Sequence, residues 1–394
     1  MEAGAYEFRV PPVIITGAGC SRRVGAVARE LGGTRALIVT GKVIRRLGYA
    51  ERVKGYLEGA GLRAEIFDGV LREPEVEFVE DGFRAFEEAG CDIVVGLGGG
   101  SPMDTAKAIA VLATCGGSIR DYEGLNRVPR PKGRLILMPT TSGSGSEVSM
   151  YSIITDVERM RKMVIKSPNI VADAAVCDPV FTLTVPPDLT MGTGLDALTH
   201  AIEGYVSRRA QPITDRIALA AIGLISENLR RAWADGGDLE ARSNMMVGAT
   251  LAAMCHSNSS VALVHGMSRP LGANFHLPHG LSNAVLLPVV MEFSYVGNPR
   301  KYADIAAAMG ERVDGLSPVD AARRSVAAVR RLCAAVKAPS LGEVAPRDEV
   351  IELAPKMAED AIASGSPANN PRRATKDDII ELYGRAASEV ATRS

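Results

Sequence analysis

Five short apolar runs recur along the first part of the chain: VIITG (13–17), RALIVTG (35–41), AEIFDGV (64–70), DIVVGLGGG (92–100) and LILMPTT (135–141). They are β-branched and aliphatic, and they break off at Gly, Thr or Pro. Between them lie patterns of helical period, such as YAERVKGYLEGAG (49–61) and VEFVEDGFRAFEEAG (76–90). A strand that is apolar on both faces has to be covered on both. The alternation therefore predicts a largely parallel sheet with helices on its two sides.

The pattern changes near VPPDLT (185–190), where Pro186 and Pro187 punctuate the chain. Strands are hard to find beyond it. The rest of the chain is Ala-rich and helical in period: DRIALAAIGLISENLRRAWADG, LEARSNMMVGATLAAMCH, PVDAARRSVAAVRRLCAAV and KDDIIELYGRAASEVA. The expected organisation is an α/β domain over 1–187 and an all-helical domain over 188–394. At 394 residues the chain can bury two substantial cores. No internal repeat is evident, and SGSPANNPRRA (364–374) reads as a loop rather than a linker.

Charge excludes several partner classes. With 45 basic and 46 acidic residues the formal net charge is -1, so neither nucleic acid nor an anionic membrane surface is attracted. Apolar runs such as ALIV and VALV are far short of the ~20 residues that span a bilayer. The N-terminal MEAGAYEFRVPPVIITG lacks the basic and apolar regions of a signal peptide. Six cysteines (Cys20, Cys91, Cys115, Cys177, Cys255 and Cys333) occur singly with no C-x-x-C pair, which fits reduced thiols in a cytoplasmic protein.

Chemistry first shows in DIVVGLGGGSPMDTAKAIAVLA. A buried strand runs into Gly98, Gly99 and Gly100, and Ser101, Pro102, Met103 and Asp104 start a helix. Ser101 and Asp104 have capping-box spacing, and Pro102 suits a first helical turn. Glycines let a phosphate approach the backbone N–H groups and the positive end of the helix dipole. The G-x-G-x-x-G fingerprint fails, because the sixth position from Gly96 is Ser101. Read alone, the segment favours a phosphate site over a tight turn without a ligand. PTTSGSGSEVS (139–149) brings hydroxyls to the same sheet edge, where open α/β folds bind ligands. At the end of RALIVT stand Gly41 and Lys42, with Arg45 and Arg46 a turn later. No acid is present there to reject a 2′-phosphate, so NADP is expected to be tolerated beside NAD.

The second constellation is GLDALTHAIEGYVS, in which Asp196 and His200 lie one turn apart on a largely apolar helix. Alone, the pair reads as a surface Asp–His contact. Four of the five histidines, however, fall between His256 and His279, and VHGMSRPLGANFHLPHG holds His265, His276 and His279. On one straight helix His265 and His279 would be about 21 Å apart. Pro270, Gly272, Pro278 and Gly280 let the chain break and return. One carboxylate and three imidazoles would make a four-coordinate site for Fe²⁺ or Zn²⁺, and ligand type does not choose between them.

GGGSPMDTAKAI, PTTSGSGSEVS, GLDALTHAIEGYVS, VHGMSRPLGANFHLPHG and NPRRATKDDIIELY occur in one order across essentially the whole chain. On these motifs the sequence resembles the iron-containing (group III) alcohol dehydrogenases, and within them the lactaldehyde reductase and propanediol dehydrogenase branch. The resemblance implies an NAD(P)-dependent enzyme acting on a small alcohol or aldehyde. It implies a divalent metal, usually iron, on Asp196, His200, His265 and His279. Gly98, Gly99, Gly100 and Ser101 would cradle the pyrophosphate, and Asp104 would belong to the same cofactor-binding set. Thr140, Thr141 and Ser144 would line the nicotinamide side, and Lys162 would reach the ribose. It further implies a cleft between the domains and a homodimer or larger homo-oligomer, in which YEFRVPPVIITG is a segment able to pair across an interface.

Two positions depart from the family's usual pattern. Four residues after His265 the family often has another histidine; here it is Arg269, whose guanidinium does not release a proton near neutral pH. His276 is the substitute for a proton relay, or a structural histidine. His256 stands where related enzymes carry a pocket aromatic, and with Arg269 it makes a polar pocket. The substrate is then expected to carry a hydroxyl, a carboxylate or another anionic group. The alternative within this fold is a dehydroquinate synthase-like lyase, also dependent on a metal and NAD. Such lyases carry Glu in place of the helix Asp, so Asp196 speaks against that reading. A non-catalytic scaffold is disfavoured because ligand set and glycine loop occur together.

Overall fold

The computed structural model describes residues 5–389 of the chain. Residues 1–4 of the stretch read for a leader, and 390–391 of the last helical pattern, lie outside the described residues. Two compact units divide the chain. One is Arg9–Thr184; the other begins at Val185 and takes in the segment ending at Phe8. The division thus falls slightly before 187, and the N-terminal segment goes with the helices rather than the sheet. Gln211 Nε2 donates to the Glu7 carbonyl at 3.0 Å, which holds that segment there.

The α/β unit contains strands β1 (Val13–Thr16), β2 (Arg35–Val39), β3 (Arg63–Phe67), β4 (Ile93–Gly98), β5 (Gly124–Leu125), β6 (Arg134–Pro139), β7 (Tyr151–Asp156), β8 (Arg161–Lys166) and β9 (Ala174–Cys177). Its helices are α1 (Val24–Glu30), α2 (Lys42–Arg46), α3 (Tyr49–Gly59), α4 (Val76–Glu88) and α5 (Gly100–Cys115). Six strands form one parallel sheet in the order β1-β9-β6-β4-β2-β3. Successive side chains serve opposite faces. Leu37, Val39, Val94, Leu135 and Leu137 pack into one core, and Ala36, Ile38, Ile93, Val95, Ile136 and Met138 into the other. That is why these strands read as unbroken apolar runs. Strand β2 has β3 on one side and β4 on the other, so the winding reverses between β2 and β4. The carboxyl ends of strands at such a reversal are where open α/β sheets bind ligands.

A second sheet, β5-β8-β7, was not expected from the sequence. Strand β7 buries Ser152, Ile154 and Asp156 on its inner face, so its alternation is half polar and carries little apolar signal. Strand β9 is AAVC, too short and too small-sided to stand out.

The helical unit comprises α6 (Pro187–Val206), α7 (Pro212–Ala234), α8 (Leu239–Asn258), α9 (Leu263–Phe275), α10 (His279–Ser294), α11 (Pro299–Ala308), α12 (Pro318–Ala335), α13 (Leu341–Val344), α14 (Arg347–Ala363) and α15 (Lys376–Ser388). One core joins Leu195, Leu198 and Ile202 of α6 to Ile222, Ile225 and Leu229 of α7, and to Leu286 and Leu287 of α10. By length and composition the stretch His279–Gly297 is apolar enough to cross a membrane. It is 61 % buried within the fold, as a central helix of this core. The segment 364–374 is a loop held in place: Arg208 donates to the Asn370 and Pro371 carbonyls at 2.8 and 3.0 Å.

Candidate active site

At the α/β unit's carboxyl edge, three of the predicted segments come together. Gly98 pairs with Pro139 in the β4–β6 register, and Val39 with Gly96 in the β2–β4 register. Thr140 N donates to the Gly98 carbonyl at 2.9 Å, and Thr40 Oγ1 to the Leu97 carbonyl at 2.8 Å. Gly98 has φ 154°, a conformation that L side chains rarely adopt. A Cβ on Gly99 would lie 3.5 Å from Thr141 Oγ1, and one on Gly100 would lie 3.3 Å from Ser144 Oγ. Thr140 itself is buried.

The capping box expected at Ser101 and Asp104 does not form. Helix α5 starts at Gly100, with Gly99 as its N-cap and no side-chain cap. Asp104 is drawn elsewhere: Ser146 Oγ donates to Oδ1 at 2.5 Å and Ile153 N to Oδ2 at 2.9 Å. Its carboxylate ties the 140–149 loop and β7 to α5, and the first turn of a 16-residue helix is left without a side-chain acceptor. Such an end, with its dipole, suits an anion. Lys162 on β8 is exposed and ion-pairs with Glu73 at 2.8 Å.

In the helical unit, Asp196 and His200 point from one face of α6, joined by His265 of α9 and by His279, the first residue of α10. The break between the two histidines comes at 276–278 and not at Pro270 or Gly272, which stay inside α9. His276 ends α9 in the left-handed conformation (φ 53°), and Pro278 forms the N-cap of α10. One potential ligand atom from each of Asp196, His200, His265 and His279 lies within 4.8 Å of all the others. The Nε2 atoms of His200, His265 and His279 stand 3.9, 3.7 and 3.7 Å from Asp196 Oδ1. These separations are too long for hydrogen bonds. They are close to the edges of a tetrahedron, about 3.4 Å for bonds of about 2.1 Å. Among the four residues themselves the separations are those of ligand atoms around an ion rather than of direct hydrogen bonds, so the set fits a divalent ion.

Burial opposes charge on Asp196, yet the neighbouring His200, His279 and His265 and the Asn283 amide hold its carboxyl below the usual range. Burial, and the positive charge that His200 and His279 would carry, push His265 well below the usual imidazole range. An ionised carboxylate beside a neutral imidazole is the state in which both bind metals.

Family models match almost the whole chain: "Iron-containing alcohol dehydrogenase" over residues 11–179 and "Fe-containing alcohol dehydrogenase family, C-terminal" over 190–387. The chain belongs to the iron-containing alcohol dehydrogenase family. It is 38 % identical to the 1,3-propanediol dehydrogenase of Klebsiella pneumoniae over 384 residues, 97 % of this chain and 98 % of that one. It is 40 % identical to the lactaldehyde reductase of Escherichia coli K12 over 369 residues, 92 % and 95 % of the two chains. The crystal structure of a 1,3-propanediol oxidoreductase superimposes with TM-score 0.94 at 38 % identity, covering 97 % of this chain and all of the other. The protein is thus a metal- and NAD-dependent alcohol dehydrogenase or aldehyde reductase, of a family whose members include 1,3-propanediol dehydrogenases and lactaldehyde reductases.

In this dehydrogenase the remaining candidates take different places. His256 of α8 stacks on His200, with ring centroids 4.1 Å apart and planes 17° from parallel. Arg269 is half-buried one turn beyond His265, and Nη1 donates to Ser366 Oγ at 3.1 Å. His276 is exposed at the end of α9. Two residues that the sequence patterns did not single out lie against the ligand set. Asn283 Nδ2 is 2.7 Å from Asp196 Oδ1, 3.1 Å from His265 Nε2 and 3.3 Å from His279 Nε2. Glu203 Oε2 is 2.7 Å from His265 Nδ1. Spacing could have found both, since Asn283 follows His279 by four residues and Glu203 follows His200 by three, each on the helix face of its histidine.

Proposed function

We propose that Asp196, His200, His265 and His279 hold a divalent iron, or zinc or another divalent ion in its place, and that the glycine loop at α5 grips the coenzyme. The observation that carries this reading is the convergence of three imidazole nitrogens on one Asp196 oxygen at 3.7 to 3.9 Å. Bound there, the ion supplies Lewis acidity to the substrate oxygen, so that no separate strong base is needed. The chain's own residues do the rest. Asp196, His200 and His265 present lone pairs from a buried, low-dielectric setting, and His279 does so from a more exposed position. The uncapped first turn of α5, with Ser101, takes the pyrophosphate. Thr141 and Ser144 offer hydroxyls beside it, and Lys162 reaches the ribose from β8.

We infer that NADP is accepted as well as NAD. Gly41 offers no carboxylate to a 2′-phosphate, and a Cβ there would come within 2.8 Å of the Val70 carbonyl oxygen. Arg45 is committed to Asp68 at 3.0 Å and Glu51 at 3.6 Å, which leaves the exposed Lys42 and Arg46 as the cations for that phosphate. The substrate is a polar small aldehyde or alcohol, which His256 and Arg269 support. A cytoplasmic setting is supported by six cysteines with no disulfide. A homodimer or larger assembly is supported by β1, an edge strand that pairs only with β9 among the described residues.

The test is oxidation of NADH and NADPH by protein loaded anaerobically with Fe²⁺, with lactaldehyde, a carboxylated aldehyde and a plain aliphatic aldehyde. Turnover with both coenzymes and faster use of the polar aldehydes is expected, with His256→Phe eroding that preference. No turnover with any aldehyde, despite bound metal and nucleotide, would redirect the reading to the lyase.

A further inference from the structure

Glu203 is 3 % exposed and projects from the face of α6 that carries Asp196 and His200. Its carboxylate meets the start of α9, where that helix follows α8 across a bend of 102°. Val264 N donates to Oε1 at 2.5 Å, and Ala262 N donates to Oε2 at 2.9 Å. His265 N is a longer donor to Oε2, at 3.4 Å. The first N–H groups of a helix have no partner within it, and Ala262, at the N-cap, provides no side-chain acceptor. Glu203 therefore caps α9 from another helix.

Capping explains the backbone contacts but not the contact to the His265 ring. Nδ1 lies 2.7 Å from Glu203 Oε2, on a carboxylate whose two oxygens already accept from the backbone N–H groups of Val264 and Ala262 and so face the ring as acceptors. On the other side of the ring, Nε2 lies 3.1 Å from Asn283 Nδ2, whose amide also donates to Asp196 Oδ1 at 2.7 Å. Both neighbours select one tautomer, with the proton on Nδ1 and the lone pair of Nε2 turned to the ligand cluster. A histidine that offers Nε2 to a metal needs that tautomer, and carboxylates on the far nitrogen commonly fix it.

We propose that Glu203 is the residue that positions His265 for the metal, holding its ring as the Nδ1–H tautomer while anchoring the start of α9 on which it rides. The proposal rests on the reading that Asp196, His200, His265 and His279 hold the ion. One carboxylate joins the helix start to the ligand, so the ring's position and its protonated nitrogen are set together.

With only five histidines in the chain, ¹⁵N-histidine labelling gives a readable spectrum, and His265→Gln identifies the signal. Metal-free wild-type protein should show His265 protonated at Nδ1. Glu203→Gln presents an amide that can donate to Nδ1, so the Nε2–H form should gain population. Zn²⁺ affinity, measured by competition with a chromogenic chelator, should fall about 10–100-fold. Two results overturn the proposal: a wild-type His265 protonated at Nε2, or a Glu203→Gln protein with unaltered Zn²⁺ affinity whose melting temperature alone falls. The wild-type spectrum decides the matter even if Glu203→Gln does not fold. Asp196→Asn, run alongside, separates the two readings. Wild-type Zn²⁺ affinity in that variant would defeat the four-residue site, whatever Glu203 does.

Discussion

The proposed ligand set depends on how closely α10 approaches α6, and Gly280 is where that closeness can be tested. Gly280 follows His279 and lies against the backbone of Gly192, one turn before Asp196. A Cβ on Gly280 would stand 2.4 Å from the Gly192 oxygen, 2.8 Å from its carbonyl carbon and 3.4 Å from Asp196 Cβ. Ordinary contact begins at 3.4 Å, so Gly280→Ala must open the two helices by about 1 Å. No rotamer change relieves a clash with backbone. Metal–ligand distances tolerate only about 0.2 Å, so a shift of this size falls directly on the pairing of His279 with Asp196.

The expected cost has two parts. Overpacking should lower the stability of the metal-free protein by about 1–3 kcal/mol. Zn²⁺ affinity should fall about 10–100-fold, or about 1.4–2.7 kcal/mol. Gly194→Ala, also on α6, is the control. Its Cβ meets the ends of flexible side chains, Leu229 Cδ1 at 2.3 Å and Met245 Cε at 3.0 Å. It should cost stability while leaving Zn²⁺ affinity within about threefold of wild type. Chelator-competition titration and thermal melting of both variants, with and without Zn²⁺, give the comparison. If Gly280→Ala binds Zn²⁺ as tightly as wild type while its metal-free melting temperature falls, backbone proximity does not set the ligand geometry and the reasoning is refuted.

Two further outcomes are expected. Asp104→Ala strips the acceptors from Ser146 Oγ and Ile153 N; it should destabilise the protein by about 2–3 kcal/mol in urea and weaken NADH binding by loosening the 140–149 loop. Unchanged NADH affinity in that variant would remove Asp104 from the coenzyme site. Burial opposes the charge on Asp92, but N–H groups of Arg35 and Thr34 and the Thr34 hydroxyl hold its carboxyl below the usual range. A depressed folded-state value means that its stabilisation is present above about pH 4, the unfolded value, and is lost as pH falls through the folded one. The melting-temperature gap between wild type and Asp92→Asn should therefore narrow as pH falls below about 4, and a gap that stays constant on further acidification would count against the assignment.

The central sheet was legible because its strands are apolar on both faces, as Leu37 and Ile38 illustrate by serving opposite cores. Strand β7 was not, because beside Ile154 it buries Ser152 and Asp156, which are held by a hydrogen bond and an ion pair. The start of α5 was misread for a related reason. Ser101 and Asp104 have the right spacing for a local cap, but a partner distant in sequence, Ile153 N, claimed the carboxylate. Local spacing states what a side chain can reach, and tertiary structure decides which of the reachable groups it takes.

The same distinction runs through the proposed metal site. Histidines are rare in this chain, so their grouping carried information that no count of glutamates or asparagines could carry among so many surface copies. The position of the chain break carried less. Pro270 looked like the place to turn, yet a proline inside a helix removes one N–H donor, and α9 tolerates that loss. The turn falls where two constraints coincide: Pro278 disfavours a helical conformation at Leu277, and His276 adopts a left-handed one. That turn starts α10 at His279 itself, so His279 and Asn283 stand one turn apart on the face toward Asp196. A ligand set spread over three helices is thus closed by a backbone conformation at His276, a residue that the sequence had offered as a catalyst. His276→Gly keeps that conformation and should keep Zn²⁺ affinity, so a loss of metal in that variant would show that the imidazole itself is needed at the turn.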